Sequence, residues 1–213
     1  MNNAGRILRN QGLQFAAWLV EEHGYEVPDG PGLFAKVVDD QHATTVVLSS
    51  LEYATRGDRE WKWSLTLGLA RRDINEYFQL WAPGLPRAGW LYATVAETNV
   101  DQFFTDRHLA FTADDRFADQ VEMLDSAVVE LEQWACLERI EEQLYLPQFA
   151  DRYAWSAIVN DVLAGRSDRS EPHFEEFERL VADPDLPPEV AERWANFKVK
   201  VAEFRAEHPD GIR

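Results

Sequence analysis

Trp61-Lys62-Trp63-Ser64-Leu65-Thr66-Leu67-Gly68-Leu69 is the stretch that decides the fold. Trp61, Trp63, Leu65, Leu67 and Leu69 alternate with Lys62, Ser64, Thr66 and Gly68. In an extended chain successive side chains point to opposite faces, so this period of two predicts a strand with one buried face. Upstream, 33–38 and 44–53 are rich in apolar and β-branched residues and flank Asp39-Asp40-Gln41-His42, which reads as the turn of a hairpin. Downstream, 73–81 predicts a short helix. The Pro83-Gly84-Leu85-Pro86 turn then leads to a strand over 90–95, and 109–111 offers a short fifth.

Helices bracket these strands. Leu8, Phe15 and Leu19 share a face over 4–23, and Gly24 is placed to end that helix in a left-handed cap. From 114 onward the pattern stays helical. Phe117, Val121, Leu124, Val128, Leu131 and Ala135 form one apolar stripe at helical spacing. Thr112 with Asp115 resembles a capping box at its start. The phase then slips to Leu137, Ile140 and Leu144, which predicts a kink or break near Trp134–Ala135. Further helices are expected over 149–164, 171–182 and 188–207, with Ser170 capping the second and Pro188 opening the third. Strands segregated from helices favour an α+β fold with a mostly antiparallel sheet of four to five strands, flanked by helices and followed by a helical C-terminal part. The expected division is an α+β domain over 1–148 and a helical extension over 149–213, packed on the same core.

The chain has 213 residues, 46% of them hydrophobic, enough to bury a core without covalent staples. Cys136 is the only cysteine, which excludes an intramolecular disulfide scaffold. The opening residues carry no basic segment followed by an apolar run, and no apolar stretch approaches the ~20 residues of a membrane span. These features lead to the expectation of a cytoplasmic chain with no membrane partner. The formal net charge of −17 disfavours contact with phosphate backbones, since affinity there comes from Lys and Arg. That charge is uneven: 114–150 holds ten acids against two bases.

The usual chemical motifs are absent. Gly30-Pro31-Gly32 lacks the lysine, the hydroxyl residue and the following helix of a phosphate loop. No Gly-x-Ser-x-Gly elbow occurs. Cys136, expected within a helix, reads as a buried structural thiol. His173 and Glu176 are spaced to share a helix face, which suits two metal ligands, but no matching pair stands on another helix and both read as solvated. Glu97, Asp101, Asp106, Asp114 and Asp115 crowd one stretch where paired carboxylates would suit acid–base or metal chemistry. Acids at a helix start are also stabilised by the helix dipole. Arg56-Gly57-Asp58 reads as a turn, and Arg56, Arg59, Lys62, Arg71 and Arg72 form a basic cluster able to hold an anion or pair with surplus acids. No catalytic residue, metal ligand or cofactor is assigned.

Two surfaces remain as candidates. Trp61 and Trp63 share a strand face, which Trp90 can join from a neighbour; such aromatics form a core or line an apolar groove for a small molecule. Asp119, Glu122, Asp125 and Glu132 lie off the apolar stripe of the 114–133 helix and are expected to face outward, with Glu130 extending the surface. That face either keeps the chain soluble or binds a basic protein.

Over 5–133 the chain resembles a family of uncharacterised bacterial α+β proteins, grouped as a domain of unknown function. Gly24-Tyr25 after the opening helix, Phe34 at the start of a hairpin, Val46-Val47-Leu48-Ser49-Ser50 in its second strand and Trp63-Ser64-Leu65-Thr66-Leu67-Gly68 carry the likeness. The resemblance implies a mostly antiparallel α+β fold and no activity, cofactor or catalytic residue. The function expected from the sequence is non-enzymatic binding of a basic partner protein through the acidic helix, as proteins that neutralise toxins do. The alternatives are small-molecule binding on the Trp-rich face and a metal-dependent enzyme using surface carboxylates. A homodimer is compatible with either surface.

Overall fold

The computed structural model describes residues 3–27, 32–55, 58–82, 96–99, 116–145, 150–182 and 187–213. Helices α1 (Asn3–Glu21), α2 (Arg72–Trp81), α3 (Phe117–Gln133), α4 (Leu137–Leu144), α5 (Ala150–Leu163), α6 (Ser167–Val181) and α7 (Pro188–Glu207) accompany strands β1 (Leu33–Val37), β2 (His42–Thr55), β3 (Asp58–Arg71) and β4 (Ala96–Asn99). The class is α+β, and helices dominate it. Contacts gather the chain into two compact units, Met1–Ala70 with Glu97–Cys136 and Arg71–Ala96 with Leu137–Arg213.

In the first unit α1 ends as its sequence predicts. Gly24 takes a φ of 69°, a left-handed conformation open to glycine, and the Tyr25 N–H turns back to donate to the Leu19 carbonyl at 3.1 Å. β1 and β2 pair antiparallel, with Phe34 opposite Val46 and Lys36 opposite Thr44. Asp39 builds the turn between them: its carboxylate accepts from the Gln41 and His42 backbone N–H groups at 2.7 and 2.8 Å. β3 lies beside β2 and the four-residue β4 beside β3. Leu65, Leu67 and Leu69 are buried, as the alternation requires, and Gly68 and Ala70 are buried as well. The end of β3 is therefore covered on both faces. The expected strands over 90–95 and 109–111 and the capping box at Thr112 and Asp115 lie outside the described residues.

α3 seats its apolar stripe on this unit. Leu124, Ala127, Val128 and Leu131 are buried, the helix touches β2 and α1, and Phe117 meets the Phe15 and Trp18 rings. The helix stops at Gln133, and α4 starts only at Leu137, so the phase slip in the sequence marks a true break. Cys136 sits in that break, half-buried, and not within a helix. The cause is local: its N–H bonds to the Trp134 carbonyl at 2.7 Å, a spacing too short for a helix to continue.

The second unit is held by aromatic rings. Trp155 on α5 meets Phe177 on α6 and Trp194 and Phe197 on α7, with centroids 4.7–5.2 Å apart, while Trp81 on α2 meets Phe204 on α7 at 5.2 Å. Pro188 opens α7, where its missing N–H and fixed φ cost nothing. α6 begins earlier than expected. Arg169 and Ser170 donate their N–H groups to the Arg166 carbonyl, forming a helical turn ahead of Ser170, so Ser170 is not a cap. Pro172 is accommodated inside α6 at the loss of one backbone bond.

Gly165, which follows α5, and Gly211 both have positive φ, 68° and 76°, and their backbones touch. A Cβ on Gly165 would overlap the Asp210 carbonyl, whereas a Cβ on Gly24 meets nothing. Gly24→Ala should therefore cost about 1–2 kcal/mol, the left-handed penalty alone. Gly165→Ala should cost clearly more, because backbone must also move. Urea midpoints of the two variants check this, and equal losses would contradict it.

Candidate functional site

α3 carries Asp119, Glu122, Asp125, Glu130 and Glu132 and no basic residue. Asp119, Glu122 and Glu130 are exposed, and among the described residues none of them has an ion-pair partner. The apolar stripe faces the unit's interior, so helical geometry leaves these three carboxylates on the opposite side. Asp125 is exposed too, with its Oδ1 at 3.1 Å from His23 Nε2, an ion pair whenever His23 is protonated. Glu132 departs from the outward placement expected. It is half-buried and accepts a hydrogen bond from Lys36 Nζ on β1 at 2.8 Å. The reason is its position. Glu132 stands in the last turn of α3, where the helix dipole disfavours negative charge, and a cation from the adjacent strand offsets both. Lys36 also lies 5.9 Å from the centre of the Tyr25 ring, whose hydroxyl is hydrogen-bonded to Thr44. Burial pushes the Tyr25 phenol well above the ordinary value.

The Trp-rich face divides differently. The side chains of Trp61 and Trp63, and Trp90 altogether, lie outside the described residues. So do the side chains of Glu97 and Arg59, and the residues Asp101, Asp106, Asp114 and Asp115. Arg71, read as part of a basic cluster, is instead buried and grips Asp73, Nε to Oδ1 at 2.8 Å. Glu176 pairs with Arg179 on its own helix, not with His173. Among the described residues no three His, Cys, Asp or Glu side chains stand together as a metal site would require.

One constellation was not singled out from the sequence. Asn160 and Asp161, side by side on α5, are fully buried. Asp161 Oδ1 accepts from the Tyr145 hydroxyl and faces Arg166 Nε at 3.3 Å and Arg169 Nε at 3.9 Å. Its Oδ2 is buried and has no hydrogen-bond partner among the described residues. Asn160 Nδ2 donates to Glu141 at 2.9 Å and to the Tyr145 oxygen at 3.0 Å, and Arg166 bonds Glu141. The Arg169 guanidinium covers the Tyr145 ring at 3.9 Å, and His173 stacks against that ring at 5.6 Å. The available signal was the run Ala157-Ile158-Val159-Asn160-Asp161-Val162-Leu163. Two polar residues inside an apolar run with no solvent face must be buried together with partners.

Burial pushes the Asp161 carboxyl above the usual range, against the pull of Tyr145, Arg166 and Arg169. Burial also acts on Glu141, but the hydrogen bonds from Arg166 and Asn160 outweigh it and hold that carboxyl below the usual range. Burial lowers His173, and Arg169 adds to this while Asp161 opposes it.

No protein-family model matches the chain, nor does any curated protein or any solved structure.

These shifts fix the sign of the pH response. His173 binds its proton less readily in the folded state, so its contribution is intact above its ordinary value of 6.5 and is lost as pH falls from there toward the lowered value. Glu141 contributes stability above its ordinary 4.5 that is lost as pH falls through its depressed value. Asp161 acts oppositely: its ionised form costs stability, and protonation relieves that cost as pH falls toward 3.8. His173→Gln should flatten the loss of thermal stability just below pH 6.5 and leave the response below 4.5 in place. Melting midpoints across pH test this, and an unchanged slope below 6.5 would contradict the assignment.

Proposed function

We propose that the chain is a non-enzymatic, cytoplasmic protein that binds a basic partner protein through the outward face of α3, in the manner of an immunity protein meeting a basic toxin. Three exposed carboxylates on one helix face, Asp119, Glu122 and Glu130, with no ion-pair partner among the described residues, carry this reading. Unpaired like charges on a seated helix give up nothing when a cationic surface arrives, and they accelerate encounter. Glu132, engaged with Lys36, belongs to the support of that face rather than to the contact itself, and Asp125 at the same flank meets His23. The net charge of −17 supports a protein partner in preference to nucleic acid or an anionic membrane. Membership of the bacterial α+β family resembled over 5–133, and a mostly antiparallel sheet of four to five strands, are part of the same proposal.

The test separates face from support. Cross-linking from cells with the wild-type chain should identify a basic protein. The triple substitution Asp119→Lys, Glu122→Lys and Glu130→Lys should slow association with it by about tenfold or more at low salt. Glu132→Gln should lower stability by about 1 kcal/mol or less, as for a partly exposed pair, and leave association unchanged. Unaltered association in the triple variant would remove the proposal.

A further inference from the structure

The segment after α7 folds back onto the second unit and is fixed there from both backbone and side chain. Ile212 and Arg213 donate their N–H groups to the Leu163 carbonyl at 2.8 and 3.2 Å. The Gly165–Gly211 approach beside them leaves no room for a side chain on either residue. Arg213 then enters the interior, its side chain 15% exposed. Its three nitrogens each meet an oxygen: Nε reaches Asp73 Oδ2 at 3.1 Å, one terminal nitrogen donates to Asn160 Oδ1 at 3.0 Å and the other to the Asn160 carbonyl at 3.5 Å.

Both acceptors are set in advance by the rest of the unit. Asp73 Oδ1 accepts from Arg71 Nε and from the Ile74 N–H, at 2.8 and 2.7 Å, and a terminal nitrogen of Arg71 donates to Oδ2 at 3.2 Å, so the carboxylate is held in place and its Oδ2 is shared by Arg71 and Arg213. Asn160 Nδ2 donates to Glu141, an acceptor-only group, so the amide oxygen has to face the other way. Through Asn160 the guanidinium is joined to Tyr145 and thence to Asp161. A planar fork of donors matches three oxygens held at different angles, whereas an ammonium presents one compact charge.

We propose that Asp73 and Asn160 form a guanidinium-specific socket, filled in cis by Arg213, and that 208–213 acts as a strap whose release exposes a site for a guanidinium group supplied from outside. The ligand class follows from the geometry: an arginine side chain or a small alkylguanidinium, not an alkylammonium. Nothing in this proposal depends on the face of α3.

Chemical rescue in the full-length chain is the test. Arg213→Ala should lower the melting midpoint by about 4 °C or more, since the three contacts of one partly buried guanidinium are lost in a unit of this size. Ethylguanidinium at millimolar concentration should restore the midpoint saturably, while ethylammonium should not, and neither should raise that of the wild type. Asp73→Asn in the same background should abolish the rescue. If Arg213→Ala does not fold, Arg213→Lys serves, and the proposal requires it to melt below the wild type. An unchanged midpoint in Arg213→Ala, rescue by ethylammonium as strong as by ethylguanidinium, or a lysine variant equal to the wild type would each overturn the proposal.

Discussion

Charge repulsion along α3 is the constraint on which the first unit depends. Five acids on one helix without a base oppose the helix by a few tenths of a kcal/mol for each close pair, and the acids in its last turn also oppose the dipole. Each fully buried Leu or Val contributes about 1.5–3 kcal/mol, so Leu124, Val128 and Leu131 together outweigh that repulsion. The helix survives because it is seated, and being seated it holds its acids in one direction. Lys36 on β1 relieves the acid nearest the repulsive end, and it can do so because α3 lies against the β1–β2 hairpin. Sequence pattern, packing and exposed charge are thus one chain of cause in this unit.

The second unit meets the opposite problem, with charge inside. A buried carboxylate costs several kcal/mol unless partners surround it, and breaking such a network costs more than building an apolar core in its place would have gained. Asp161 is met by Tyr145, Arg166 and Arg169, Asn160 by Glu141 and Arg213, and Asp73 by Arg71 and Arg213. These groups come from α2, α4, α5 and α6, from the residues that flank them (Arg71, Tyr145 and Arg166) and from the strap, so the network ties together the elements around the aromatic core. Each of these pairings limits how the helices can be arranged, which apolar contacts alone would leave loose.

Much of the scaffold was legible because it follows from short-range rules. Period two marked β3, the Gly24 cap ended α1, Pro188 opened α7 and the phase slip after Ala135 located the break between α3 and α4. Local bonding overturned other readings: the Arg166 carbonyl starts α6 before Ser170, and the Trp134 carbonyl takes Cys136 out of a helix. The acidic face was legible in outline from helical spacing. Glu132 was misplaced because its partner, Lys36, is 96 residues away and reaches it only through the sheet. The Asp161 network was invisible for the same reason. Its members lie on or beside three different helices, and charged residues such as Arg166 and Glu141 read as solvated until tertiary contact brings them together.

The open carboxylates stand on one side of α3, while Glu132 is engaged with the sheet and Asp161 is enclosed. Carbodiimide labelling of carboxyl groups in the native protein, read residue by residue by mass spectrometry, measures this directly. Labelling should be fast at Asp119, Glu122 and Glu130, slower at Glu132 and slowest at Asp161. Glu132 labelling as fast as Glu122, or protection of Glu122 in the isolated chain, would contradict it.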